Sequence, residues 1–119
     1  MIYKPMTPAM LAALGEPNRF RIVELLRTGP RPVNDIVARL ALKQSHVSQH
    51  LRVLKNVGLV AVEPRAQQRL YGLRAHSLRQ LHDWLDRYRH IWEERFEQLD
   101  DLLEQIKGQE KPGGAGKNK

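Results

Sequence analysis

The chain has 119 residues, a formal net charge of +7 and no cysteine. This length suits a single domain. The lack of cysteine excludes disulfides, thiolate metal sites, iron–sulfur clusters and cysteine nucleophiles. No apolar run approaches the ~20 residues that span a membrane, and the first residues do not resemble a secretory signal, so we expect a cytoplasmic protein.

The positive charge is concentrated in the first two-thirds of the chain. Residues 1–75 contain 12 basic and 4 acidic residues, residues 76–107 contain 5 and 8, and residues 108–119 contain 3 and 1. A localised basic excess on a small domain is typical of a protein that binds a polyanion, most often nucleic acid. A charge that serves only solubility is the alternative.

Four short helices are predicted in the first half of the chain. Apolar residues at three- and four-residue spacing predict them at Thr7–Leu14, Asn18–Arg27, Val33–Leu40 and Gln44–Val57. The prolines and glycine of residues 28–32 predict a loop. Gly58 is a natural C-terminal stop for the fourth helix.

A β-hairpin is predicted next. Leu59–Glu63 and Leu70–Leu73 are short and apolar, and the polar, basic segment Pro64–Arg69 separates them. Because this segment lacks the Asn-Gly or Asp-Gly pair of tight hairpins, we expect a longer, mobile tip.

One long helix is predicted from Ser77, as its cap, to Lys107, with a length of about 45 Å. It carries two apolar stripes and both tryptophans, which favours one surface for the core and one for a partner helix, and hence a dimer. A single wide core face is the alternative. The chain then divides into a domain at 1–107 and a glycine- and lysine-rich tail at 108–119, predicted to be disordered.

The order of these elements indicates a winged helix-turn-helix, which is a mainly α fold with a β-hairpin. In such motifs the second helix enters the DNA major groove. If Val47, Leu51 and Leu54 face the core, the polar residues of the fourth helix point outward: Ser45, His46, Ser48, Gln49, Arg52 and Lys55. Gln can read adenine, and Arg can read guanine or bind phosphate. An ordinary solvated helix face is the alternative.

Three stretches, Leu14–Leu26, Gln44–Val60 and Arg69–Tyr71, resemble the ArsR/SmtB family of arsenic-repressor-type regulators, in its non-metal-sensing form. The resemblance extends roughly from Thr7 to Lys107. It implies a winged-helix homodimer, joined through its first and last helices, that binds a palindromic operator in double-stranded DNA and usually represses transcription.

The resemblance also implies which residues contact DNA. On the fourth helix, the base and phosphate readers are Gln44, Ser45, Ser48 and Gln49, supported by His50 and Arg52; on the wing, the contacts are Arg65, Gln67, Gln68 and Arg69. Lys43 stands where the family often has a capping Ser or Thr. Its side chain cannot accept hydrogen bonds from the helix amides, although it can contact phosphate.

The apolar stripes and the resemblance together predict a dimer interface. Its predicted residues are Met10, Leu11, Leu14, Leu81, Trp84, Leu85, Tyr88, Ile91, Trp92 and Leu99.

Metal sensing is a weaker alternative. The family's zinc site, aligned on His82, falls on Gln80, His82, Glu93 and Phe96, which supplies two ligands where zinc needs three or four. His82, Asp86 and His90 form a second set on one helix face, for which a solvated polar face is the alternative. We therefore predict no metal and no cofactor, with His82, Asp86, His90 and Glu93 as weak candidate ligands.

Enzyme classes find little support. The chain has no glycine-rich phosphate loop, nucleophile elbow or HExxH motif. A winged-helix protein–protein adaptor is a further alternative, but the outward cations Arg52, Lys55, Arg65 and Arg69 argue against it. The sequence does not reveal the operator or the effector.

Overall fold

The structure is a computed structural model that describes residues 6–109, without the side chains of residues 94–97 and 109. The chain divides into two compact units, Met1–Trp84 and Leu85–Lys119. From residue 110 onward, the predicted tail lies outside the described residues. Within the described range, no helix has the length and apolar character needed to cross a membrane.

The first unit holds four helices and a small sheet, followed by most of a fifth helix. In chain order the elements are α1 (Pro8–Leu14), α2 (Pro17–Leu26), β1 (Arg31–Pro32), α3 (Val33–Leu40), α4 (Gln44–Asn56), β2 (Val60–Arg65), β3 (Gln68–Leu73) and α5 (Ala75–Asp86). The second unit is dominated by α6 (Arg89–Gln109). The winged helix-turn-helix prediction is confirmed, and the four N-terminal helices lie within one or two residues of their predicted bounds.

The core of the first unit is built from the apolar faces of the helices and the first residues after α4. Its buried residues are Met10, Ala13, Ile22, Leu26, Ile36, Val47, Leu51, Leu54, Leu59 and Val60. Val47, Leu51 and Leu54 are at most 1% exposed, so the predicted inner face of α4 is confirmed. Their burial fixes which residues of α4 point outward.

The loop predicted at residues 28–32 is wrong for its last two residues, which form a strand. Arg31 and Pro32 form a short strand that pairs antiparallel with Tyr71 and Leu70, which gives a three-stranded sheet of order β1-β3-β2. Pro32 is the last residue of this edge strand, a position where a proline removes no interior ladder hydrogen bond. The pairing partner lies about forty residues away, so local breaker residues could not reveal it.

The hairpin tip is shorter than predicted. β2 and β3 pair as far as Arg65 and Gln68, so only Ala66 and Gln67 form the turn. Ala66 adopts the positive φ of 56° that tight turns need and that glycine or asparagine usually supplies. With Ala66 in this conformation, a two-residue turn is enough, and the strands continue through the polar segment.

The long final helix is interrupted. α5 ends at Asp86 and α6 begins at Arg89, with a turn at residues 87–88. The amide of Tyr88 donates to the carbonyl of Leu85 at 2.9 Å, and the amide of Ile91 donates to that of Tyr88 at 2.9 Å. These three-residue hydrogen bonds replace the four-residue bonds of an α-helix. No glycine or proline marks the turn in the sequence.

Ser77 does not cap α5, which begins two residues earlier. Its side chain is 2% exposed and donates a hydrogen bond to the carbonyl oxygen of Gly58, at the end of α4. The amide of Arg74 donates to the carbonyl of Leu59 at 3.0 Å. These contacts join the start of α5 to the end of α4.

Substitution of Ala41 tests the geometry of the turn before α4. Ala41 ends α3 in the left-handed region, at φ 56° and ψ 43°, which costs an L-residue about 1–2 kcal/mol. Because glycine adopts this conformation freely, we expect Ala41→Gly to raise the free energy of unfolding by about 1 kcal/mol in urea titrations. The control Ala38→Gly, at an exposed helical position, should lower it by about 0.5–1 kcal/mol. If both substitutions change the free energy of unfolding in the same direction, the left-handed conformation assigned to Ala41 is contradicted.

Candidate nucleic-acid interface

The outer face of α4 is polar and exposed. The residues predicted to contact DNA that lie on this face are all exposed: Gln44, Ser45, His46, Ser48, Gln49, Arg52 and Lys55. They stand opposite the buried apolar face, so the helix presents amides, hydroxyls and cations together. Such groups match the donors and acceptors at base edges and phosphates in a major groove.

His50 is an exception, because it turns toward α2. Its side chain is 18% exposed, and its Nδ1 lies 3.9 Å from Oε1 of Glu16. Nη1 of Arg19 lies 3.4 Å from the same His50 nitrogen, while Nε of Arg19 donates to the carbonyl oxygen of Ala13 at 2.8 Å. His50 therefore connects α4 to the corner between α1 and α2, and its predicted supporting role in DNA contact stays a prediction.

The Glu16 carboxylate predicts a pH dependence of stability. Its Oε1 accepts from the amide of Arg19 at 2.8 Å, capping α2. This hydrogen bond holds the pKa of Glu16 below its ordinary value of 4.5, against a smaller opposing effect of burial, and the nearby His50 adds a still smaller lowering of the pKa. A carboxyl whose pKa is lower in the folded protein stabilises it above the unfolded pKa, and this stabilisation is lost as the pH falls through the lowered value.

We therefore expect Glu16→Gln to destabilise the protein more at pH 7 than at pH 3, as measured by urea unfolding at both values. The glutamine keeps an oxygen that can accept from the Arg19 amide but carries no charge. Glu24→Gln, at an exposed position of the same helix, is the matched control. An equal loss of stability at the two pH values would assign the effect to packing alone.

The N-terminus of α4 is open. Lys43 is the N-cap residue and makes no side-chain capping hydrogen bond, as its chemistry predicts. The first amides of α4 therefore have no intrahelical acceptor and no side-chain acceptor from Lys43. An exposed cation and free amides at a helix start are both suited to a phosphate group.

The predicted wing residues lie at the end of the hairpin. Arg65, Gln67, Gln68 and Arg69 are all exposed. Arg65 pairs with Gln68, and Arg69 pairs with Pro64. Since neighbouring residues of a strand alternate between faces, Arg65 and Arg69 lie on opposite faces of the ribbon. The wing thus carries positive charge on both sides.

The first turn of α3 lies beside the wing, which the sequence did not indicate. Val33 and Asn34 line a shallow depression of about 200 Å³ together with Gln67, Gln68 and Arg69. The pairing of β1 with β3 brings these segments together. Asn34 is exposed there and extends the polar surface beyond the predicted set.

The predicted interface residues divide into buried and exposed groups. Met10 is 3% exposed and belongs to the core, and the half-buried Leu14 and Leu81 pack against it. Trp84 is half-buried. The exposed group comprises Leu11 on α1, Leu85 on α5, Tyr88 in the turn, and Ile91, Trp92 and Leu99 on α6. Exposed side chains of this size are available to a partner.

The candidate metal ligands have other neighbours. His82 Nδ1 lies 3.2 Å from Asp83 Oδ1. Arg89 pairs with Asp86 at 3.0 Å and with Glu93 at 3.5 Å. Within the part of the chain that the structure describes, no three His, Asp or Glu side chains gather closely enough to hold a metal ion. A metal site would therefore need ligands from two protomers, and the absence of a metal stays a prediction.

A helix-turn-helix whose second helix has an exposed polar face, followed by a basic hairpin, defines the winged-helix class of domain. The family model described as "Bacterial regulatory protein, arsR family" matches residues 16–62. The chain belongs to this family of transcriptional regulators, which are not enzymes.

Two curated relatives from Mycobacterium tuberculosis support the assignment. The chain is 41% identical to the HTH-type transcriptional regulator NmtR over 73 residues, which cover 61% of each protein. It is 40% identical to the HTH-type transcriptional regulator Rv2034 over 76 residues, which cover 64% of this chain and 71% of Rv2034. The match to NmtR thus spans less than two thirds of that relative's length.

Solved structures share the fold. A crystal structure of a possible transcriptional regulator for arsenical resistance matches with a TM-score of 0.61 and 36% identity, over 69% of this chain and 85% of the other. Mb0332 from Mycobacterium bovis, whose fragment 1–100 is described as a homodimeric winged helix-turn-helix DNA-binding domain, matches with a TM-score of 0.58 and 24% identity, over 66% and 72%. The second likeness concerns the fold alone.

Proposed function

We propose that this protein is a homodimeric transcriptional repressor that binds a palindromic operator through α4 and the hairpin wing. The observation that carries the proposal is the division of α4 into a buried face of Val47, Leu51 and Leu54 and an exposed polar face. Ser48 and Gln49, in the N-terminal half of the helix, are placed to read base edges. Such a protein acts on cytoplasmic DNA.

The charge distribution supports DNA as the partner. Residues 1–75 carry the basic excess, and Arg52, Lys55, Arg65 and Arg69 are all exposed. Phosphate contacts from these cations, from Lys43 and from the open start of α4 would set the register of the protein on the duplex. A protein–protein adaptor would have no need for this arrangement.

The exposed apolar side chains support a dimer of identical chains. Leu85, Ile91, Trp92 and Leu99 are 37–50% exposed, and aromatic side chains are enriched at protein interfaces. Mb0332, which shares the fold, is itself described as homodimeric. In a symmetric dimer, two copies of α4 would enter major grooves about 34–36 Å apart.

The test is fluorescence anisotropy with two labelled duplexes, the upstream region of the protein's own gene and a scrambled version, with and without zinc. We expect preference for the upstream duplex, no effect of zinc, and affinity that falls by about 0.9 log units per contacted phosphate for each tenfold rise in salt. Release by zinc would support the metal-sensing alternative. No binding to either duplex would overturn the proposal in favour of an adaptor.

A further inference from the structure

A cleft lies at the far end of α4 from the proposed base-reading residues. It has a volume of about 380 Å³ and is bounded by the start of α1, the C-terminal end of α4 and the first turns of α5. Small-molecule pockets in proteins occupy roughly 300–1,000 Å³. The cleft is therefore large enough for a small metabolite, and apart from Lys55 none of its described lining residues is among the proposed DNA contacts.

The cleft is lined by positively charged and polar groups. Lys55, Arg74 and His76 line it, and none of its described lining residues is acidic. Among residues 6–109, as far as their side chains are described, these three side chains have no ion-pair or hydrogen-bond partner. A lysine, an arginine and a histidine thus line one concave surface without an acidic residue beside them in the described part of the chain.

The local backbone holds this arrangement in place. Gly58 adopts φ 87°, which turns the chain sharply after α4. The hydroxyl of the buried Ser77 donates to the Gly58 carbonyl oxygen. A Cβ atom placed on Gly58 would lie 3.5 Å from Nη1 of Arg74, so the guanidinium group lies beside this glycine. The hydrogen bond from Ser77 to Gly58 therefore fixes the backbone next to the guanidinium group.

We propose that this cleft binds a small anion with carboxylate or phosphate groups, held by Arg74, Lys55 and His76. A guanidinium group can bind either anion through two parallel hydrogen bonds. The ammonium of Lys55 can approach the same anion as a point charge. α5 begins at Ala75, so the positive end of its dipole lies at the same wall.

The position of the cleft connects such a ligand to DNA reading. Lys55 lies on α4, Arg74 and His76 lie at the start of α5, and Thr7 and Met10, at the start of α1, also line the cleft. An anion bound there bridges the recognition helix to two further helices, so its occupancy changes how α4 is held. This second claim, that the anion is an effector, rests on the proposed function.

The test of binding uses the full chain without DNA. Thermal unfolding is followed while inorganic phosphate or citrate is titrated at constant ionic strength, with sodium chloride as the reference. We expect the Tm to rise with the logarithm of the concentration of at least one of the two anions, beyond any change with sodium chloride. Arg74→Gln should weaken that anion's binding at least tenfold.

Arg79→Gln is the matched control, because Arg79 is exposed on α5 but does not line the cleft. It should leave anion binding unchanged. Equal weakening by both variants would assign the effect to general charge screening. A Tm that neither anion raises above the sodium chloride reference would also overturn the proposal. If Arg74→Gln fails to fold by circular dichroism, His76→Gln, at an exposed position, replaces it under the same criteria.

A second arm separates a free anion from a DNA phosphate. Operator binding is measured without added anion for the wild type and Arg74→Gln. Equal affinity and equal salt dependence support a site for a free anion. A loss of affinity together with a shallower salt dependence would mean that the cleft contacts the DNA backbone, which overturns the proposal. Anion binding is measured without DNA. If the protein fails to bind the proposed operator, the result of the anion titration therefore still stands.

Discussion

Replacement of Trp92 and Leu99 together by aspartate is expected to convert the dimer into monomers and to lower operator affinity by about 10²–10⁴-fold. The two side chains are seven residues apart on α6 and are 37% and 50% exposed. A charge at either position would have to be buried without a partner in an apolar interface. Sedimentation and fluorescence anisotropy measure the two effects.

The size of the affinity change follows from bivalency. When one half-site is bound, the second recognition helix is held near its own half-site, so its effective concentration is high. A monomer loses this advantage although its α4 is unaltered. Circular dichroism should show an intact fold, because neither side chain belongs to the core of the first unit.

Gln98→Asp with Gln105→Asp is the matched control. It adds two negative charges to the same helix, at exposed polar positions with the same seven-residue spacing. We expect this variant to remain dimeric and to keep its affinity for the operator. If the variant with both Trp92 and Leu99 replaced still dimerises, α6 does not form the dimer interface.

Replacement of Gln49 by alanine is expected to weaken binding to the operator by about 1–3 kcal/mol, or roughly 5–150-fold, and to leave the affinity for scrambled DNA nearly unchanged. Gln49 is exposed on the N-terminal half of α4, next to the buried Val47 and Leu51 that fix the rotation of the helix. Its amide offers the donor and the acceptor that a bidentate contact with adenine requires. Fluorescence anisotropy with both duplexes measures the ratio of the affinity for the operator to the affinity for scrambled DNA.

Arg69→Ala provides the comparison for Gln49→Ala. Because Arg69 is an exposed wing cation, its loss should weaken binding to both duplexes alike and reduce the salt slope by about 0.9. A loss confined to the operator would instead give Arg69 a base-reading role. If Gln49→Ala weakens binding to both duplexes equally, Gln49 does not read a base.

The helices and the orientation of α4 could be predicted because their signals are local. The spacing of Val47, Leu51 and Leu54 defines one face of a helix regardless of the rest of the chain, and Gly58 supplies the positive φ that ends it. From these positions the outward residues follow by geometry. This is why most of the candidate site was accessible without the structure.

Other features depend on partners far away in the chain. The strand at Arg31–Pro32 exists because β3 pairs with it, and the inward position of His50 depends on Glu16 and Arg19. Local propensity cannot distinguish a proline in a loop from one at the end of an edge strand. The turn between α5 and α6 likewise has no glycine or proline to mark it.

The sequence by itself determined the class of fold, the polar face of α4 and the positive charge of the region that carries it, since periodicity and charge are properties of neighbouring residues. Only the tertiary structure decided that Ser77 binds the end of α4 and that Lys55, Arg74 and His76 surround one cleft. These residues come from separate elements, and the packing of the elements on the shared core brings their side chains together.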